Sequence, residues 1–104
     1  MEEDYFFIGN NQKESKVHIL IIYDITDDRR RNKLVTFLMG YGFRIQKSAF
    51  EAVLKAKLYR KMLSEIGKYA TEEDSIRVYR IIDEAHICNF GKEVNSIVEE
   101  IIII

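Results

Sequence analysis

Cysteine is nearly absent: Cys88 is the single one in 104 residues. One thiol excludes an internal disulfide and a cysteine-based zinc site within one chain, and it suits a reducing, cytoplasmic setting. Cys88 itself reads as a small buried apolar residue. Long apolar runs are also missing. The longest, residues 17–23 and 101–104, are far too short to span a bilayer, so no membrane partner is expected. The opening MEED is acidic, so no secretory or transit signal is expected either. No glycine-rich phosphate loop, Ser/His/Asp spacing or paired-histidine metal motif occurs. The two histidines, His18 and His86, lie far apart in the sequence. His18 sits in an apolar run and reads as a hydrogen-bonded core or interface residue. His86 fits a structural or a functional role.

What is present is an ordinary globular composition, with 47% hydrophobic and 32% charged residues. The length suits one domain, burying roughly 60–65% of its unfolded surface. The net charge of −1 hides an asymmetry. Residues 1–28 carry two Lys/Arg against seven Asp/Glu, residues 29–68 eleven against two, and residues 69–104 three against eight, giving −5, +9 and −5. A basic block between acidic ends fits a polyanion-facing surface. It equally fits solvated helix faces that pair with the acidic ends.

The chain is organised around residues 17–34. Six strand-forming residues, 17–22, run into Tyr23-Asp24, which predicts a strand buried on both faces. Alternation puts His18, Leu20, Ile22 and Asp24 on one face and Val17, Ile19, Ile21 and Tyr23 on the other. Thr26 or Asp27 then caps a helix. Leu34, Phe37, Leu38 and Tyr41 form its apolar stripe, and Gly40 and Gly42 are expected to supply left-handed conformations at its end. Residues 43–54 are long for one strand and predict two, or one bent ribbon, broken at Lys47-Ser48. A second helix is expected over residues 54–69, with Leu58, Met62, Ile66 and Tyr69 inward. A last strand is expected over residues 75–82, with Ile76 and Val78 on one face and Arg77 and Tyr79 on the other. The order βαββαβ predicts an α+β, ferredoxin-like sandwich. Residues 1–16 read as an N-terminal extension, 17–82 as the core and 83–104 as a C-terminal dimerisation segment. Four terminal isoleucines would make an aggregation-prone edge unless paired, which favours an extra C-terminal strand pairing across a homodimer.

Asp24 is the leading candidate for chemistry because it lies at the exit of the first strand. It either caps the turn or binds a hard divalent cation. A lone carboxylate is a poor Mg²⁺ site, and a twofold dimer could bring two Asp24 side chains together. Asp27 and Asp28 read as caps. Arg29, Arg30 and Arg31 spread about 100° apart around a helix and cannot share one ligand. Arg31 is the best placed of the three to return toward Asp24. Arg44, Gln46 and Ser48 would share a polar strand face with Phe50, a face suited to nucleic acid. Phe50 on its own reads as core.

Three stretches together resemble a known family. Tyr23-Asp24-Ile25-Thr26-Asp27-Asp28 with Arg31-Asn32-Lys33-Leu34, then residues 44–51, then residues 73–79, are similar in order and spacing to the small CRISPR adaptation proteins of the Cas-two family. The resemblance implies a ferredoxin-like homodimer with C-terminal strands exchanged, acting in antiviral defence. It implies a metal-dependent endonuclease, of RNA in some members and double-stranded DNA in others, in which Asp24 and its symmetry mate hold Mg²⁺. Tyr23, Arg31, Arg44 and Phe50 fall at positions associated with activity. It also implies a non-catalytic role in spacer acquisition, in which the dimer holds double-stranded DNA and bridges the Cas-one integrase. The chain departs from the pattern at Lys33, Lys47 and Ala49, in the uncapped start of the second helix, and in its sixteen-residue extension. Two rival readings stand beside this one: a standalone toxin-like ribonuclease acting on single-stranded RNA, and a ferredoxin-like regulatory module without nucleic acid.

Overall fold

The computed structural model describes residues 15–82 and 87–91. Its elements are β1 (Lys16–Asp24), α1 (Asp28–Leu38), β2 (Phe43–Gln46), β3 (Ala49–Lys55), α2 (Ala56–Ile66), a 3₁₀ turn (Gly67–Tyr69) and β4 (Ser75–Ile81). The strands form one antiparallel sheet in the order β2-β3-β1-β4. The βαββαβ order, with the first and third strands central, is the ferredoxin-like arrangement expected from the sequence. The expected C-terminal strand, residues 1–14 of the N-terminal extension and His86 lie outside the described residues, and Lys16, expected to end the extension, instead opens β1.

Register decides which side chains share a face. Val17, Ile19 and Ile21 oppose Leu54, Ala52 and Phe50 across β1–β3. These residues are buried together with Tyr23, Leu34, Leu38, Met62 and Ile66, so the core lies between the sheet and its two helices. The other sheet face carries Leu20, Ile22 and Asp24, and there Ile22 is 42% exposed. Burial of β1 on both faces is therefore not observed. An antiparallel sheet with helices on one side covers only that side. His18 is the exception on the second face, buried at the far end of β1.

The two-strand division of residues 43–55 is observed, with Lys47 and Ser48 forming the turn. Asp27 caps α1 through a bond from the Arg30 N–H at 2.9 Å. Gly40 and Gly42 do not take left-handed conformations; α1 closes through Met39 in ordinary helical geometry. Gly42 is required for another reason: a Cβ there would collide with the Glu51 carbonyl oxygen and lie 2.7 Å from the Ala52 Cβ. α2 begins two residues later than expected because Leu54 completes the buried face of β3. Leu58 is exposed, and Tyr59, three residues before Met62 and seven before Ile66, packs against the core in its place. Cys88 is exposed rather than buried, since residues 87–91 join neither helix nor strand.

Candidate functional site

Asp24 ends β1 on the open face, where it pairs with Ser75 of β4. Its side chain is exposed, and no hydrogen bond or ion pair engages it among the described residues. Because Ile22 opposes Arg77 in the same register, Arg77 is the diagonal neighbour of Asp24, roughly 7–8 Å away. Arg77 Nη1 donates to the Tyr79 hydroxyl at 2.9 Å. The open face near Asp24 thus presents a free carboxylate, an arginine, a tyrosine and the exposed Ile22.

The three arginines that open α1 have three different fates. Arg31 does return to the strand exit: Nη2 donates to the Ile25 carbonyl at 3.0 Å, while Nη1 pairs with Asp28 at 2.6 Å. Arg30 reaches across the chain to Asp74, with Nε 3.0 Å from Oδ2 and Nη2 3.2 Å from Oδ1. Arg29 has no partner among the described residues and lines an open groove with Lys33.

Asp74 is the most heavily bonded carboxylate among the described residues. It accepts from the Thr26 N–H at 2.9 Å and its hydroxyl at 3.1 Å, and from the Thr71 N–H at 2.8 Å and its hydroxyl at 3.0 Å. Its side chain has no solvent exposure. The two backbone N–H bonds, from Thr26 and then Thr71, hold the carboxyl well below the usual carboxylate range. The acidic loop 71–74 therefore clamps the turn between β1 and α1. Sequence reasoning missed this clamp, because nothing in a run of three arginines says which one pairs with a carboxylate 44 residues away.

Tyr23, Arg44 and Phe50 are brought together, on the opposite side of the sheet from Asp24. The Tyr23 hydroxyl donates to the Lys47 carbonyl at 3.0 Å, and Arg44 Nη2 donates to the same oxygen at 2.8 Å. The Tyr23 and Phe50 rings lie 6.2 Å apart. Tyr23 and Phe50 are 2% and 1% exposed, so neither presents its side chain to a substrate in this chain. Arg44 is exposed and opposes Phe50 in register, but the expected face shared with Gln46 and Ser48 does not form, because a register shift pairs Gln46 with Ala49 and Ser48 lies in the turn. Arg77 was also missed as a site residue, although alternation had already placed it on a polar face. The missing step was the strand order, which sets β4 beside β1.

The donor set offers a divalent cation one carboxylate per chain. No cluster of three His, Cys, Asp or Glu suited to a metal exists among the described residues. Mg²⁺ is usually held by one or two carboxylates, with water and phosphate oxygens completing its shell. The free Asp24 carboxylate fits half of such a site.

Comparison with known proteins bears on this geometry. The family model for CRISPR associated protein Cas2 matches residues 17–86. The chain belongs to the Cas2 family. A Mycobacterium tuberculosis protein named CRISPR-associated endoribonuclease Cas2 is 39% identical over 95 residues, covering 86% of this chain and 84% of that protein. Among solved structures, the hypothetical protein TT1823 of Thermus thermophilus superposes with a TM-score of 0.65 at 29% identity, covering 78% of this chain and all of that one. A chain of a partial Cas6-RT-Cas1–Cas2 complex superposes with a TM-score of 0.61 at 32% identity, covering 70% of this chain and 83% of that one. The Cas2 match spans all four strands and both helices described above. Among the described residues, no helix is long and apolar enough to cross a membrane.

Proposed function

We propose that this Cas2 chain acts as a homodimer in CRISPR adaptation, holding double-stranded DNA and bridging the Cas1 integrase. The observation that carries the reading is the free Asp24 carboxylate on an open sheet face bordered by exposed Ile22 and Tyr79. Such a face is suited to meeting its own copy, and a twofold axis there would bring two Asp24 side chains together. The presence of a similar chain in a Cas1–Cas2 complex supports the partnership. The +9 charge of residues 29–68 supports a polyanion ligand.

The same dimer carries a hydrolytic site. Asp24 from each chain would hold a divalent cation such as Mg²⁺, which when bound lowers the pKa of water and offsets charge on a phosphodiester. In the reaction a water oxygen bonds to phosphorus, the bond to the leaving ribose or deoxyribose oxygen breaks, and that oxygen takes up a proton. Arg77 lies beside Asp24 to offset phosphate charge. Arg31 steadies the strand exit through the Ile25 carbonyl. Tyr23, Arg44 and Phe50 act at a distance, bracing the 47–48 turn beside β1. The endoribonuclease name of the relative favours RNA as a second substrate, the reading in which the chain cuts on its own.

Duplex binding measured against salt separates these readings from a module without nucleic acid. Steep loss of affinity with rising salt is expected. Absence of binding at low salt would end the proposal.

A further inference from the structure

Among the described residues, two cations of α1 meet no carboxylate. Arg30 and Arg31 are each matched to an aspartate, at 3.0 and 2.6 Å. Arg29 and Lys33 engage no carboxylate among the described residues, although they stand four apart on one helical face, where like charges repel. Both border a groove of about 690 Å³ with Asn32, Thr36, Phe37 and Tyr69. That volume falls in the range of small-ligand sites, roughly 300–1,000 Å³.

The floor of the groove is aromatic. The half-buried Phe37 and Tyr69 rings have centroids 4.9 Å apart and planes inclined by 34°. Outside the lining, Lys68 Nζ stands 5.4 Å from the Tyr69 centroid. Asn32 and Thr36 supply donors and acceptors along the wall. Cations above an aromatic floor suit a ligand with an anionic part and a flat part. A phosphate alone would make no use of the aromatic surface that Phe37 and Tyr69 give the groove, and a stacked duplex keeps its base faces hidden.

We infer that the groove binds an unpaired nucleotide, with Arg29 and Lys33 on its phosphate and its base against Phe37 and Tyr69. The site lies on the helix layer, on the opposite side of the sheet from Asp24, and is separate from the proposed hydrolytic centre. The inference rests on the nucleic-acid reading above and adds a place for a single-stranded segment or frayed end.

The full-length protein is titrated with d(T)6 and with a blunt duplex, using amide chemical shifts and binding isotherms, for wild type, Tyr69→Leu and Lys33→Gln. In wild type, d(T)6 is expected to shift the amides of Asn32, Lys33, Phe37 and Tyr69. Tyr69→Leu is expected to weaken d(T)6 binding about fivefold or more, as for loss of one base-stacking ring, while leaving duplex binding unchanged. Lys33→Gln is expected to flatten the salt dependence for d(T)6 by about 0.7 in the log–log slope. Duplex binding without d(T)6 binding, or d(T)6 shifts confined to the Asp24 face, overturns the groove alone. So does d(T)6 affinity unchanged in a folded Tyr69→Leu protein, or an equal loss for both ligands. Failure of wild type to bind either ligand overturns the nucleic-acid reading itself.

Discussion

Arg30 Nε donates to Asp74 Oδ2 at 3.0 Å, and the same carboxylate takes the Thr26 N–H at 2.9 Å. One side chain from the loop before β4 therefore holds both the exit of β1 and the first turn of α1. Asp24 and Arg31 lie on either side of the clamped residues, so their relative position depends on this contact. Bonds from the Thr26 and Thr71 backbone N–H groups, joined by the two threonine hydroxyls, make this carboxylate resist protonation against the opposing effect of its burial.

Asp74→Asn removes the charge and keeps the shape. The folded-state pKa of Asp74 is depressed, so its contribution to stability is complete above the unfolded value of about 4 and declines as pH falls toward the folded value. Wild type is expected to be the more stable protein at pH 7, with its advantage over Asp74→Asn shrinking below about pH 4. Urea unfolding at pH 7, 4 and 3 measures it. A difference that stays constant with pH would remove Asp74 as the source.

Gly42→Ala places a methyl group against the Glu51 carbonyl oxygen and the Ala52 Cβ. Both obstacles belong to β3, whose backbone is fixed by pairing with β1. A loss of roughly 1–3 kcal/mol or more is expected in chemical unfolding. Gly67→Ala is the control, because nothing lies within 4 Å of its added Cβ.

Tyr23→Phe and Phe50→Ala separate positioning from contact with substrate. Tyr23→Phe removes one donor to the Lys47 carbonyl while Arg44 keeps another, so a cost of about 0.5–1.5 kcal/mol is expected. Phe50→Ala empties a core site and should cost about 3–5 kcal/mol. If these residues act only by bracing the 47–48 turn, nuclease activity measured well below each melting temperature falls less than it does in Asp24→Asn.

Arg29 and Arg30 differ in availability despite being adjacent. Arg29→Gln is expected to lower the log–log salt slope of d(T)6 binding by about 0.7, as for one lost phosphate contact on a single strand. Arg30→Gln should lower stability and leave the slope unchanged, since its guanidinium is already committed to Asp74. Isotherms at four salt concentrations distinguish them.

The architecture was legible because its signals are local. Alternation along residues 17–23 assigned the faces of β1, and the unusual length of 43–54 pointed to two strands or one bent ribbon, of which the two strands with a turn at Lys47-Ser48 are observed. Asp27 announced its cap by type and place. Signals failed where distant chain segments meet. The register that sets Arg77 diagonal to Asp24, and the ion pair between Arg30 and Asp74, depend on strand order and loop path. Leu58 misled for a subtler reason: Leu58 and Tyr59 both stand about one turn before Met62, and only tertiary packing decides that Tyr59 meets the core. Motif order compensated for part of this by marking Tyr23, Arg44 and Phe50, which the fold does gather around one carbonyl oxygen.

The central claim is that two Asp24 carboxylates, one from each chain of a dimer, hold the cation needed for hydrolysis. It is tested by comparing wild type with Asp24→Asn in three measurements: molecular mass by sedimentation, duplex affinity, and Mg²⁺-dependent cleavage of RNA and duplex DNA. A dimer and unweakened duplex binding are expected in both proteins, with cleavage lost in Asp24→Asn. Undiminished Mg²⁺-dependent cleavage by purified Asp24→Asn, or a wild-type protein that cleaves as a monomer, would contradict it.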